Sequence, residues 1–219
     1  MPRLLFEKKG NAVWISHLDL MRLFQRAFQR AKLPLKHTQG FNPRPSVSIA
    51  LPLSVGIESS CEMLDFDLDG CDASDSEIKQ RLNAALVEGI HVLDVYGNGQ
   101  KIKYIAYLDC AIQMEYDAGI PENAGAEIEK LFSGREVIVT KHGKSGDTEQ
   151  NIIPMICSLH AGEKDANTLE LSCRICCQNP SLNPMQISAA IERYLPDFVP
   201  DYVKYCRKEV YDIHGNVFR

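Results

Sequence analysis

A chain of 219 residues, 45% hydrophobic with a net charge of −5, holds enough apolar mass for one large domain or two smaller ones. No apolar run approaches the roughly 18 residues that cross a bilayer, and Met1-Pro2-Arg3-Leu4-Leu5-Phe6-Glu7 lacks the apolar core of a secretion signal. A helical membrane protein is thereby excluded, and a cytoplasmic chain with no membrane contact and free cysteines is expected.

Charge is unevenly spread. Residues 1–50 carry nine Lys/Arg and two acids, a net +7, which leaves −12 on residues 51–219. A basic edge on an acidic protein attracts polyanions by steering and by release of condensed counterions.

In chain order, residues 3–8 and 12–15 read as short strands around a Gly10-Asn11 turn. A helix from 16 to about 33 follows, ended by Pro34. Residues 46–51 and 61–68 read as strands, the second from its alternation of Met63, Asp65 and Asp67 with Leu64, Phe66 and Leu68. Residues 74–87 carry Ile78, Leu82, Ala85 and Leu86 at helical spacing. Gly89 stops that helix, and 91–96 is a strand.

Gly97-Asn98-Gly99 marks a break. Beyond it, 104–116 alternates as a strand, 122–132 is a weak helix, 136–141 a strand and 142–150 a polar loop. Residues 151–160 fit strand or helix equally, and 169–177 alternates cleanly. Asn183 and Pro184 open a helix to about 194, and 202–211 is the last strand. The expectation is an α+β protein of two tandem ferredoxin-like halves, each β-α-β-β-α-β with an antiparallel sheet. A basic domain at 1–99 carries the motifs, and 100–219 forms the second domain.

Two motifs are dense in chemistry. Ser16-His17-Leu18-Asp19 opens a helix, with Ser16 able to accept from the Asp19 amide and Asp19 able to reach back to the Ser16 amide. Leu20, Phe24, Ala27, Phe28 and Ala31 form its apolar stripe, while Asp19, Arg22, Arg26 and Arg30 fall on the other side. Gln39-Gly40-Phe41-Asn42-Pro43-Arg44-Pro45 is a loop stiffened by its prolines, with Gly40 permitting a close approach and Phe41 reading first as a core plug. Cys173-x-x-Cys176-Cys177 is not read as a metal site, because residues 173 and 176 of one strand point to opposite faces. No nucleophile elbow, phosphate loop or dinucleotide fingerprint is present, and neither metal nor cofactor is expected.

The motifs closely resemble those of the radical-SAM-linked proteins, a bacterial family defined by a domain of unknown function. They are Lys8-Lys9-Gly10, Ser16 to Arg22, Gln39 to Pro45, the Leu-Pro-x-x-x-Gly-x-x-Ser segment from Leu51 to Ser59, and the acidic strand from Glu62 to Asp65. Arg44 stands where the family has histidine, and Asn151 where its second half usually has Asp. The resemblance implies a partner: a radical SAM enzyme with a cobalamin-binding region. The chain itself lacks the Cys-x-x-x-Cys-x-x-Cys triplet of such enzymes.

The resulting expectation is a non-catalytic module that recognises an anionic substrate, RNA foremost, for that partner. His17, Asp19, Arg22, Arg26, Gln39, Asn42 and Arg44 would contact the ligand. Ser16, Gly40, Phe41, Pro43, Glu62 and Asp65 would support them, with the 39–45 loop beside the first helical turn. Two alternatives stay open: a metal-independent endoribonuclease or RNA-modifying enzyme using His17 as general acid or base, and a protein–protein interaction module.

Overall fold

The computed structural model describes residues 1–143 and 146–219. The chain divides into two compact units, Met1–Lys103 with Arg219, and Tyr104–Phe218.

In the first unit, strand β1 (Arg3–Lys8) leads through a short 3-10 turn (Gly10–Trp14) into helix α1 (His17–Arg30). Strands β2 (Val47–Ile49) and β3 (Ile57–Phe66), helix α2 (Asp75–Ala85) and strand β4 (Ile90–Tyr96) follow. The strands lie in the order β4-β1-β3-β2, every neighbouring pair antiparallel.

Alternation decides which side chains meet the helices. Leu4 and Phe6 of β1 and Leu64 and Phe66 of β3 join Leu20, Phe24, Ala27 and Phe28 of α1, with Ile78 and Leu82 of α2, in one core. Phe6 meets Phe24 edge-on, ring centroids 4.7 Å apart, and Phe28 packs on Phe66 at 5.1 Å.

Several boundaries differ from expectation, among them the start of β3, at Ile57 rather than 61. Residues 12–15 form no strand. Gly10 takes a φ of 56° and turns the chain, the Ala12 amide donates to Lys9 O, and the Ile15 amide donates to Ala12 O. Local hydrogen bonds thus override the β-propensity of Val13, Trp14 and Ile15. Helix α1 also ends earlier, at Arg30. Lys32 adopts a φ of 53° and the Leu33 amide donates to Phe28 O, so a left-handed residue rather than Pro34 stops it. Gly89 follows α2 where a Cβ would sit 2.5 Å from Lys9 O, so glycine is required by close approach.

The second unit holds β5 (Ile105–Glu115), α3 (Ala124–Phe132), β6 (Ile138–Gly143), β7 (Gly146–Asn151), β8 (Ile156–Glu163), β9 (Thr168–Cys176), α4 (Met185–Tyr194) and β10 (Tyr202–Asp212). Its main sheet runs β10-β5-β9-β8, again antiparallel throughout. With β6 and β7 set apart as a separate hairpin, the two units share one strand order.

That hairpin corrects the reading of 142–150 as a loop, since 146–150 belong to β7; residues 144–145 of the expected loop lie outside the described residues. The ambiguous stretch 151–160 resolves into a 3-10 turn (Ile153–Met155) and the start of β8. Asn183 accepts from the Met185 amide through its side chain at 3.1 Å and opens α4.

The architecture is mixed α+β with antiparallel sheets. Among the described residues no helix is long and apolar enough to cross a membrane, and no cluster of three or more His, Cys, Asp or Glu could hold a metal ion. The eight cysteines are free thiols.

Candidate nucleic-acid interface

The start of α1 is set from beneath. Lys8 is fully buried, and its ammonium donates to Val13 O at 3.1 Å and Ile15 O at 2.9 Å. These bonds fix the turn that delivers Ser16. Ser16, in an extended conformation, caps the helix by accepting from the Asp19 amide at 3.2 Å.

The Asp19 carboxylate reaches the Ser16 hydroxyl, which donates to Oδ2 at 2.7 Å, rather than the Ser16 amide. Its Oδ1 accepts from Arg22 at 2.9 Å. The Ser16 hydroxyl first, then Arg22, hold Asp19 below the usual carboxylate range. Asp19 is thus committed to Ser16 and Arg22 and is not a partner of His17. His17 is half-buried, and its Nδ1 is buried without a hydrogen bond among the described residues.

Down the outer face of α1, Arg22, Arg26 and Arg30 are all exposed. They line a groove of about 450 Å³ with Asp19, over a floor of Ile15, Leu23 and Val87. Arg30 is tied by a bond from Nη2 to Ala85 O at 2.6 Å, at the end of α2. Arg26 makes no hydrogen bond or ion pair among the described residues, and Asp19 feels it only as a nearby charge.

The second motif is a closed loop. His37 and Pro45 pair as a bridge, the Thr38 amide donates to Arg44 O at 2.8 Å, and the Arg44 amide donates to Thr38 Oγ1 at 3.0 Å. Clamped at its base, the loop holds Gln39, Gly40, Phe41, Asn42, Pro43 and Arg44 in solvent, with Gly40 at a φ of 146°. Phe41 is fully exposed. Its expected place in the core is therefore corrected: the ring stands on a loop whose ends are already satisfied by their own backbone.

A second groove, of about 470 Å³, runs between α1 and the returning chain. Gln25, Arg26, Phe28 and Gln29 line it from the helix, and Leu33, Pro34, Leu35, His37 and Pro45 from the other side. Arg26 on the helix and Pro45 at the base of the loop line this groove together. His17, Gln39, Asn42 and Arg44 line neither groove.

Of the two acids expected to orient a motif arginine, Asp65 holds Arg3 in a two-pronged pair at 2.6 and 3.2 Å, and buried Glu62 accepts from Ser59 Oγ at 2.8 Å. Lys8, Gln25, Gln29 and His37 were missed as site residues. Gln25 and Gln29 sit at an i, i+4 spacing visible in sequence, but only the return of the chain makes a groove beneath them.

A family model described as an uncharacterized protein conserved in bacteria (DUF2344) matches residues 2–184. No curated protein matches the sequence. Among solved structures, a chain in the crystal structure of a Cbf5-Nop10-Gar1 complex is similar at a TM-score of 0.53 and 6% identity; the alignment covers 95% of this chain and 48% of that one. The chain therefore spans about half the length of that relative, and the likeness speaks for the fold alone. The crystal structure of an unknown protein from Galdieria sulphuraria aligns over 97% of both chains at 9% identity, with a TM-score of 0.26.

Proposed function

Because the chain belongs to the DUF2344 family of uncharacterized proteins conserved in bacteria, we propose that it is a recognition module without catalysis of its own. It holds single-stranded RNA through its first unit for a cytoplasmic radical SAM enzyme with a cobalamin-binding region. Each unit is read as a ferredoxin-like half, the second carrying the β6–β7 hairpin as an insertion.

One observation carries the RNA reading: Phe41 stands fully exposed at the tip of a clamped loop that also presents Arg44 and Asn42. Single strands are recognised by stacking bases on aromatic rings while cations follow the backbone, and each stacked base contributes roughly 1–3 kcal/mol. A carboxylate surface on a protein partner would engage the arginines but has no base to lay on the ring. Arg22 and Arg26 of the arginine groove supply phosphate contacts, each offering a planar fork of donors, while Arg30 is held by Ala85 O.

The endoribonuclease alternative is weaker. A general base needs a group that orients it, and the nearest carboxylate in sequence, Asp19, is engaged by Ser16 and Arg22.

Fluorescence anisotropy with a short single-stranded RNA tests the reading. Binding is expected to weaken about tenfold for Phe41→Ala, in the lower part of the stacking range, and to weaken in Arg44→Ala. Unchanged binding in both variants overturns it. RNA incubated with the purified protein alone should stay intact, and cleavage abolished by His17→Ala would promote the enzyme instead. Recovery of the chain from its own cells with no radical SAM protein bound would remove the partner from the account.

A further inference from the structure

The groove between α1 and the returning chain has a composition that the phosphate contacts do not explain. Its floor is apolar: Phe28 and Leu33 are completely buried and Leu35 half-buried, with Pro34 and Pro45 closing the sides. Gln25 and Gln29, one helical turn apart, stand on its helix side, and neither side-chain amide makes a hydrogen bond among the described residues. Arg26, also free of ion pairs among the described residues, lines both this groove and the arginine groove on the other side of α1.

We infer that this groove holds one unstacked nucleobase of an RNA strand, read by the amides of Gln25 and Gln29, while Arg26 takes the adjoining phosphate. The volume of about 470 Å³ falls within the range of small-ligand clefts and exceeds what a water cluster needs. A flat heteroaromatic ring suits the floor, since half-buried Leu35 and the two prolines offer apolar surface above the closed-off Phe28 and Leu33. A glutamine amide presents a donor and an acceptor side by side, the pattern that pairs bidentately with the edge of a base. An apolar peptide side chain would leave both amides unpaired, and a lone phosphate would waste the floor. Arg26 sits between the two grooves, where the ribose-phosphate backbone leaves a base seated in the first and enters the second. The inference rests on the RNA reading for its ligand class but on different residues, so the two can fail separately.

The test uses the full chain and two short strands of equal length, one an oligoadenylate and the other abasic with the same phosphates. Wild type is expected to bind the adenylate at least about a hundredfold tighter than the abasic strand, about tenfold from stacking on Phe41 and about tenfold from one bidentate base contact. Gln25→Ala plus Gln29→Ala should cut that preference about tenfold, leaving the share owed to Phe41, the abasic binding and the urea midpoint unchanged. If the double variant keeps the full preference, the groove is not the base site, although phosphate binding by the arginines still stands. If neither strand binds at low salt, the RNA reading falls and the groove is judged by saturation-transfer NMR with adenosine monophosphate. Transfer to the base protons that the double variant removes sustains the inference. Absent transfer, or transfer indifferent to the variant, overturns it.

Discussion

Replacing Lys8 by Met would test whether the start of α1 is built from beneath. Methionine keeps an unbranched apolar stem of similar reach but removes the ammonium that donates to Val13 O and Ile15 O at 3.1 and 2.9 Å. Val13 O keeps the Gly56 amide as a donor at 2.9 Å, so Ile15 O is the carbonyl left without its donor, in a place where Lys8 itself meets no solvent. An acceptor left unsatisfied in the interior costs about 1–3 kcal/mol. Relief from burying an ammonium returns part of that. The balance is a loss of roughly 1–2 kcal/mol, read as a lower urea midpoint by far-ultraviolet circular dichroism at constant slope. The emission of Trp14, the one tryptophan of the chain, should shift in the folded state as well, since it lies in the turn these bonds hold. A loss below about 0.5 kcal/mol, the size of an ordinary surface change, with unshifted emission would refute the argument.

Three further outcomes follow from the same geometry. Phe24→Ala removes a buried ring that meets Phe6 edge-on at 4.7 Å, and should cost about 3–5 kcal/mol in the same urea measurement. Ser74→Ala removes the hydroxyl of a complete capping box with Glu77 and should cost about 1 kcal/mol, with reduced hydrogen-exchange protection confined to the first turn of α2. At Asp109, burial works against the charge, but hydrogen bonds from Arg174 and Tyr211 outweigh it and hold the carboxyl below its ordinary range. A depressed folded-state pKa gives stability that is present above the unfolded value, near pH 4, and is lost as pH falls through the lower folded value. Asp109→Asn should therefore flatten the acid limb of stability against pH, and an unaltered acid limb would contradict the pairing.

Where side-chain periodicity alone decides an element, the sequence is sufficient. Leu20, Phe24, Ala27 and Phe28 describe α1 because a 3.6-residue stripe has one way to reach a sheet, and all four are fully buried. Residues 12–15 mislead because Val13, Trp14 and Ile15 favour strands, while a buried lysine four residues upstream of Ala12 and a left-handed Gly10 impose a turn. The β6–β7 hairpin is hidden for a different reason: β7 reads Gly-Asp-Thr-Glu-Gln-Asn and is exposed over most of its length, so no apolar alternation marks it. In the candidate site, the arginine face of α1 is legible from spacing. The exposure of Phe41 and the groove under Gln25 and Gln29 are not, since both depend on how the chain from Leu33 to Pro45 returns and closes on itself.

The central claim is that the first unit binds an RNA backbone through its arginines, and the salt dependence of affinity tests it most directly. Each phosphate contact on a single strand contributes about 0.7 to the negative slope of log K against log salt concentration. Engagement by Arg22, Arg26 and Arg44 predicts a slope of about −2 between about 50 and 200 mM salt, reduced by about 0.7 in Arg26→Ala, an arginine with no hydrogen bond or ion pair to release among the described residues. No binding at about 50 mM salt, or a slope unchanged when Arg22, Arg26 and Arg44 are all replaced by alanine, would contradict the account.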